Sequence, residues 1–205
     1  DGRSVYLDFL GATLRTILPV GVEEIERIEI IRGPASTLYG ADAFAGVINI
    51  LLREPAKGKS HLLSSVGEGN SLRGTALFTG HNGNLSYRFG SGYSEADRYS
   101  LSIDPTRVDI ASTDLDPHRA YRSQWFNTDF SLNLKKGYAL RAGTAVQTGE
   151  LSFVASGRLR NLYAKDAIFT QTHASLSTPI GLTLRTFWNF FQTDIRSPES
   201  SPGAI

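Results

Sequence analysis

Residues 23–58, EEIERIEIIRGPASTLYGADAFAGVINILLREPAKG, decide how this chain reads. Ile28 and Ile30 alternate with Arg27, Glu29 and Ile31, the period of a strand buried mostly on one side. Gly33-Pro34 stops that strand, because proline has no N–H to give a ladder. Ala35 to Gly40 reads as a turn, or as one helical turn closed by glycine. Val47 to Leu51 reads as a second short strand, which breaks at Pro55. Upstream, Leu18-Pro19 precedes Glu23 and Glu24, two acids suited to the first turn of a short helix.

Beyond Lys59 the pattern changes to segments that alternate over about ten residues, the length of a barrel strand. Leu72, Gly74, Ala76 and Phe78 share one face. So do Leu85, Tyr87, Phe89, Ser91 and Tyr93 in the next segment. Phe126 to Leu134, Leu140 to Val146, Ile168 to Leu176 and Leu182 to Phe190 repeat the pattern. With a first segment near His61 to Val66, the spacing predicts about seven strands. Arg73, Arg88, Arg141 and Arg185 fall on the opposite faces, which suits a wet lumen better than the core of a sandwich. The segments 81–84, 135–137 and 178–181 are tight turns, whereas 95–122 and 149–165 read as long polar links. Short and long links alternate in transmembrane barrels; the short link 67–70 weakens the pattern. Tyr93, Phe126, Trp188 and Phe190 lie near the outer strand ends, as interfacial aromatics do, and Tyr138 starts a strand at the inner end. On alternation alone, a soluble β-sandwich or barrel fits as well as a membrane barrel.

Composition narrows the classes. The formal net charge of +1 over 205 residues points to neither nucleic acid nor an acidic substrate. No run approaches the ~18 apolar residues of a spanning helix, which leaves a membrane barrel open. With no cysteine there is no disulfide or thiolate chemistry. With no methionine and no leader-like start, the sequence reads as a piece of a longer protein. Gly33 to Gly40 is too widely spaced for a phosphate loop, and Gly67-Glu68-Gly69 lacks the third glycine of a dinucleotide site. His61, His81, His118 and His173 have no zinc-ligand spacing, and no nucleophile elbow is present. Asp104, Asp109, Asp114 and Asp116 share one loop but not the spacing of an EF-hand; a solvated loop is the simpler reading. No catalytic residue, metal site or cofactor is expected.

The segment Arg32-Gly33-Pro34-x-Ser36-x-Leu38-Tyr39-Gly40, followed by Ala43-x-Ala45-Gly46-Val47-Ile48-Asn49-Ile50, resembles the distal half of the plug domain of TonB-dependent outer-membrane receptors. Asp1 to Tyr6 and the stretch 18–31 also look like that family. Ala45 stands where a second glycine is frequent, and Leu52 where a small polar residue is common. The resemblance implies a mainly β fold, a fragment of a plugged transmembrane antiparallel barrel with a small α+β plug segment. Residues 1–58 would be the distal plug and 59–205 the first seven or so wall strands. The TonB box and the first plug half are not in this sequence. The resemblance further implies active import across the Gram-negative outer membrane, with no covalent chemistry. Energy would come from the TonB–ExbB–ExbD complex, and the cargo would be a scarce nutrient such as a ferric siderophore. The surroundings would be outer-membrane lipid. A surface receptor for signalling or partner docking, and a soluble β-barrel binding module, are the competing expectations.

Site expectations follow from the same likeness. Family plug arginines pair with wall carboxylates, which makes Arg32 the candidate for locking plug to wall, with Arg27 second. Gly33, Gly40 and Gly46 would serve backbone geometry, beside Pro34 and Asn49 of the same motif. Tyr39 would pack between plug and wall. Arg98, Tyr99, Arg119 and Tyr121, in the link 95–122, are candidates for greeting an anionic cargo.

Overall fold

The computed structural model describes residues 3–5, 18–40, 43–56, 59–97, 120–155 and 160–196. A 3-10 turn, Val22–Glu24, leads into β1 (Ile25–Arg32). Gly33, at φ 93°, then turns the chain into one turn of helix, α1 (Ser36–Tyr39). Gly40 ends it at φ 91°, its N–H donating to the Ser36 carbonyl at 3.0 Å. The following β2 (Gly46–Leu52) pairs antiparallel with β1, so that Ile31 opposes Val47 and Ile28 opposes Ile50.

Gly46 is the tightest point of this hook. It sits at φ 152°, and a Cβ there would lie 2.6 Å from the Ile31 carbonyl oxygen. Gly46→Ala is expected to cost about 1–3 kcal/mol of local stability. Amide exchange in the full-length protein should accelerate across β1 and β2 and stay slow in the large sheet.

One expectation fails here. Ile28 and Ile30 were expected on a buried side, but they are 54% and 66% exposed, as is their neighbour Ile48 at 69%. The period is that of a strand, but a two-stranded sheet buries a face only where another layer covers it. Among the described residues this face is uncovered.

The remaining strands form one antiparallel sheet of seven, each hydrogen-bonded to its sequence neighbour. They are β3 (His61–Gly67), β4 (Ser71–Asn82), β5 (Leu85–Ala96), β6 (Tyr121–Asn133), β7 (Ala139–Ala155), β8 (Arg160–Ser177) and β9 (Thr183–Arg196). The register joins Phe78, Phe89, Thr128, Thr144, Thr172 and Trp188 into one row. The adjacent row, on the other face, is Leu77, Gly90, Asn127, Ala145, Gln171 and Asn189.

These faces are inside-out relative to a water-soluble sandwich. Leu72, Phe78, Phe126, Phe130, Leu140, Leu184 and Trp188 are exposed, while Arg88, Asn127, Asp129, Gln147 and Gln171 are buried. Trp188 and Phe190 stack on the exposed face at 5.8 Å. Phe89 meets Phe130 edge-on at 5.5 Å on the same face. Trp125 and Phe169 are buried on the inner face, but a sheet that turns most of its large apolar side chains outward and buries Arg88 and Asp129 inward fits lipid outside and a polar lumen inside.

The link expected at 149–165 is corrected. β7 runs on to Ala155 and β8 begins at Arg160, leaving four residues, 156–159, between them. Register shifts at Gly149/Leu151 and Lys165/Ile168 put the strand ends out of phase with their own beginnings. A bulge breaks the two-residue period, and a broken period looks like loop in a sequence. Of the links at that end of the sheet, only 97–120 is long.

Candidate functional site: the plug–wall interface

The turn before β1 presses on the inner face of the large sheet. Glu24 is buried, and its Oε1 accepts from the Gly21 N–H at 2.8 Å and from Asn127 Nδ2 at 2.9 Å. The same Asn127 amide donates to the Pro19 carbonyl at 3.1 Å. Gly90 leaves the room for this contact: a Cβ there would sit 2.5 Å from Glu24 Oε2. Gly92 does the same for the Trp125 ring, 2.1 Å from where its Cβ would be. Arg73 bonds Glu23 at 3.0 Å and lies 5.8 Å from the centre of that ring.

Gly90→Val would push the Glu24 carboxylate off Asn127. Overpacking of this kind is expected to cost about 1–3 kcal/mol. Limited proteolysis of the full-length protein should then cut faster within residues 19–53, with the heat-modifiable migration of the barrel unchanged.

A second cluster lies beside the first. Asp129 is fully buried, and Arg141 grips both of its oxygens, at 2.8 and 2.6 Å. Arg88 approaches the same carboxylate to 3.7 Å and donates to the Arg53 carbonyl, just past the end of β2, at 2.6 Å. His173 stands 3.9 Å from Asp129, and the Arg3 guanidinium donates to its Nδ1. Burial lowers the pKa of Arg3 to about 10; Asp129 opposes the shift and Arg141 adds to it, so Arg3 is charged at neutral pH. Asn189 donates to the Ser4 carbonyl at 2.7 Å, and the Ala56 N–H to Thr79 Oγ1 at 2.9 Å.

Apart from the Trp125 ring, these contacts are polar. A buried ion pair barely outweighs the hydration it gives up, yet removing one partner is costly. Thr75 Oγ1, Arg88 Nε and Asn127 Oδ1 also make no hydrogen bond within the described residues. Such an interface fixes position without the adhesion of an apolar seal.

The residues singled out from sequence are distributed differently. Arg27 bonds Glu29 at 2.9 Å along its own strand and is exposed. Asn49 donates to Glu29 across the sheet at 3.1 Å. These two hydrogen bonds, Arg27's first, hold the Glu29 carboxyl below its ordinary pKa, so the Arg27–Glu29 pair persists into mild acid. Arg32 is exposed at the end of β1, and Pro34 is exposed before α1. Gly33, Gly40 and Gly46 all have positive φ. Tyr39 is 42% exposed and lines a cleft between the two sheets. The Tyr121 hydroxyl meets Ser94 Oγ at 3.1 Å, whereas Arg98, Tyr99 and Arg119 lie outside the described residues. Sequence reasoning did not select Glu24, Asn127 and Asp129, although polar residues at inward positions of an alternating strand were the available signal.

Residues 1–47 match the family model of the TonB-dependent Receptor Plug Domain. The chain is 31% identical over 118 residues to the vitamin B12 transporter BtuB of Vibrio vulnificus, covering 56% of this chain and 19% of that protein. It is 27% identical over 199 residues to the ferric enterobactin receptor of Pseudomonas aeruginosa, covering 83% of this chain and 25% of that protein. Over 33 residues it is 67% identical to an iron-regulated outer membrane virulence protein of Vibrio cholerae, covering 16% of this chain and 5% of that protein. The chain thus spans a quarter or less of the length of these curated relatives. Residues 1–47 thus carry plug-domain sequence, and in this chain that sequence continues into antiparallel strands with an apolar outer face; over this span the chain is similar to TonB-dependent receptors.

Proposed function

We propose that this chain works as the distal plug and adjoining wall of an outer-membrane transporter that imports a scarce nutrient, with a ferric siderophore as its cargo. Residues 1–58 are assigned to the plug and 59–205 to the wall. Energy enters through the TonB–ExbB–ExbD complex, as the resemblance to TonB-dependent receptors implies. The relative named as a ferric enterobactin receptor supports a chelated metal as cargo, and the one named as a vitamin B12 transporter supports vitamin B12 as a competitor. In this reading Arg32 meets wall carboxylates, with Arg27, which bonds Glu29 on its own strand, second; Arg98, Tyr99 and Arg119 touch cargo from the outer loop, with Tyr121 at the start of β6 beside them.

The observation that carries the proposal is the polar contact between plug and wall around Glu24 and Asp129. A barrel wide enough to pass a chelate would leak unless filled. A filler that must yield on demand is better held by hydrogen bonds than by an apolar seal.

Growth tests the reading. A strain lacking the gene should fail on at least one ferric siderophore as sole iron source, and the intact gene should rescue it only where TonB is present. Rescue without TonB, or unimpaired growth of the deletion strain on every siderophore and on vitamin B12, would reject it.

A further inference from the structure

The inner face of the large sheet carries a regular row near the end where the tight turns lie. The register sets Ser131 opposite Arg141, Arg141 opposite Ser175, and Ser175 opposite Arg185. Serine and arginine thus alternate across four neighbouring strands, β6 to β9. Strands are about 4.8 Å apart, so the two arginines leave the backbone about 10 Å from each other. They line a cleft of about 800 Å³ between wall and plug, which Arg3 and Tyr39 also enter.

The two arginines differ in state. Arg141 is held by Asp129 and stands as a fixed charge. Arg185 is exposed, and among the described residues it makes no hydrogen bond or ion pair. Asp129 lies buried behind Arg141, and Glu54 acts on Arg141 from the plug. Set against Arg3, Arg141 and Arg185, these acids leave the cleft with positive charge in excess. Guanidinium forks flanked by hydroxyls recognise planar or tetrahedral oxyanions.

We infer that this cleft is a subsite for a small polyanion, which the Ser131–Arg141–Ser175–Arg185 row holds through its oxyanion groups at the mouth with the tight turns. Arg185 closes on the ligand, and Arg141 supplies the anchored charge. The inference rests on the import reading only for which side of the membrane this mouth faces. Carboxylates and phosphates share the required chemistry, and the probes separate them.

The test is calorimetric titration of the full-length receptor in detergent, with citrate in one arm and pyrophosphate in the other. At least one should bind, more weakly as salt rises. Arg185→Ala should weaken that binding about tenfold or more, equivalent to 1.4 kcal/mol. Arg185→Lys should keep part of it, and Ser175→Ala should weaken it less. Arg185 is exposed, so folding of these variants can be confirmed by heat-modifiable migration. Binding stronger in the citrate arm assigns the site to carboxylate ligands, and stronger in the pyrophosphate arm to phosphates. Failure of both probes to bind, or binding that Arg185→Ala leaves unchanged, overturns the inference. Uptake assays fail independently: Arg185-dependent binding in a protein that imports nothing would keep the subsite and reject the transporter.

Discussion

Asp129→Asn should destabilise the full-length receptor by about 3–5 kcal/mol, the ordinary cost of stripping one partner from a buried ion pair. The reason lies in what is left behind. Arg141 donates twice to this carboxylate and Arg88 leans on it from the other side. Both guanidiniums stay charged without it, and Arg88 is as buried as Asp129 itself. Urea unfolding in lipid vesicles reads the loss directly. The plug should loosen as well, because Arg88 also holds the Arg53 carbonyl. Cells carrying the variant should therefore admit large antibiotics that intact outer membranes exclude. Replacing Arg88, Asp129 and Arg141 together with leucine should restore much of the stability, since apolar packing often matches a buried charge network. A loss below about 1 kcal/mol for Asp129→Asn would put this cluster in the class of solvent-screened pairs.

The two halves of the structure differ in how far the sequence revealed them. The faces of the large sheet were legible because alternation is a local property. Phe78, Phe89 and Trp188 declare their side within a few residues of themselves. The strand ends of β7 and β8 were not, because Gly149 and Asp166 interrupt the period while the hydrogen-bonded ladder continues around them. The hook of the plug was legible from its glycines, each of which has the positive φ its position suggested.

The plug–wall contacts were least legible, and the cause is sequence distance. Glu23 finds Arg73 across 50 residues, and Glu24 finds Asn127 across 103. No local pattern says which acid meets which base. The family likeness directed attention to plug arginines and wall acids. On this stretch of wall, plug acids meet Arg73 and Asn127, while the buried wall acid Asp129 is gripped by Arg141 from the next strand. Glu23 and Glu24 do what acids at the start of a helix do, since Glu24 caps its own turn through the Gly21 N–H. That local role masked the second one.

The second large effect is expected on the opposite face. Thr144→Arg should cost the folded receptor about 2–4 kcal/mol, whereas Thr148→Arg on the same strand should cost about 0–1 kcal/mol. Both side chains point outward, four residues apart. Their difference is depth. Glu95, Arg122 and Glu150 form a charged outward row at one end of the sheet, with Arg122 paired to Glu95 at 3.4 Å. Tyr138 and Lys136 mark the other end. From Tyr138 to Glu150 the strand rises about 40 Å along its own axis. A tilt of 35–45° reduces that to about 30 Å, close to the height of an apolar membrane band. Thr144 falls midway, level in register with Thr128, Thr172 and Trp188. Trp188 therefore lies at mid-depth and not at the outer strand end where the sequence reading put it, because β9 runs on to Arg196. Thr148 lies one step short of Glu150. A charge at Thr144 must be carried into hydrocarbon, and one at Thr148 reaches the headgroups along its own arm. Thr144→Leu should be neutral or stabilising in the same urea titration. A dry protein core over this face would penalise the two arginines alike, so equal costs would place the row in a protein interior and remove the membrane from the account of this fold.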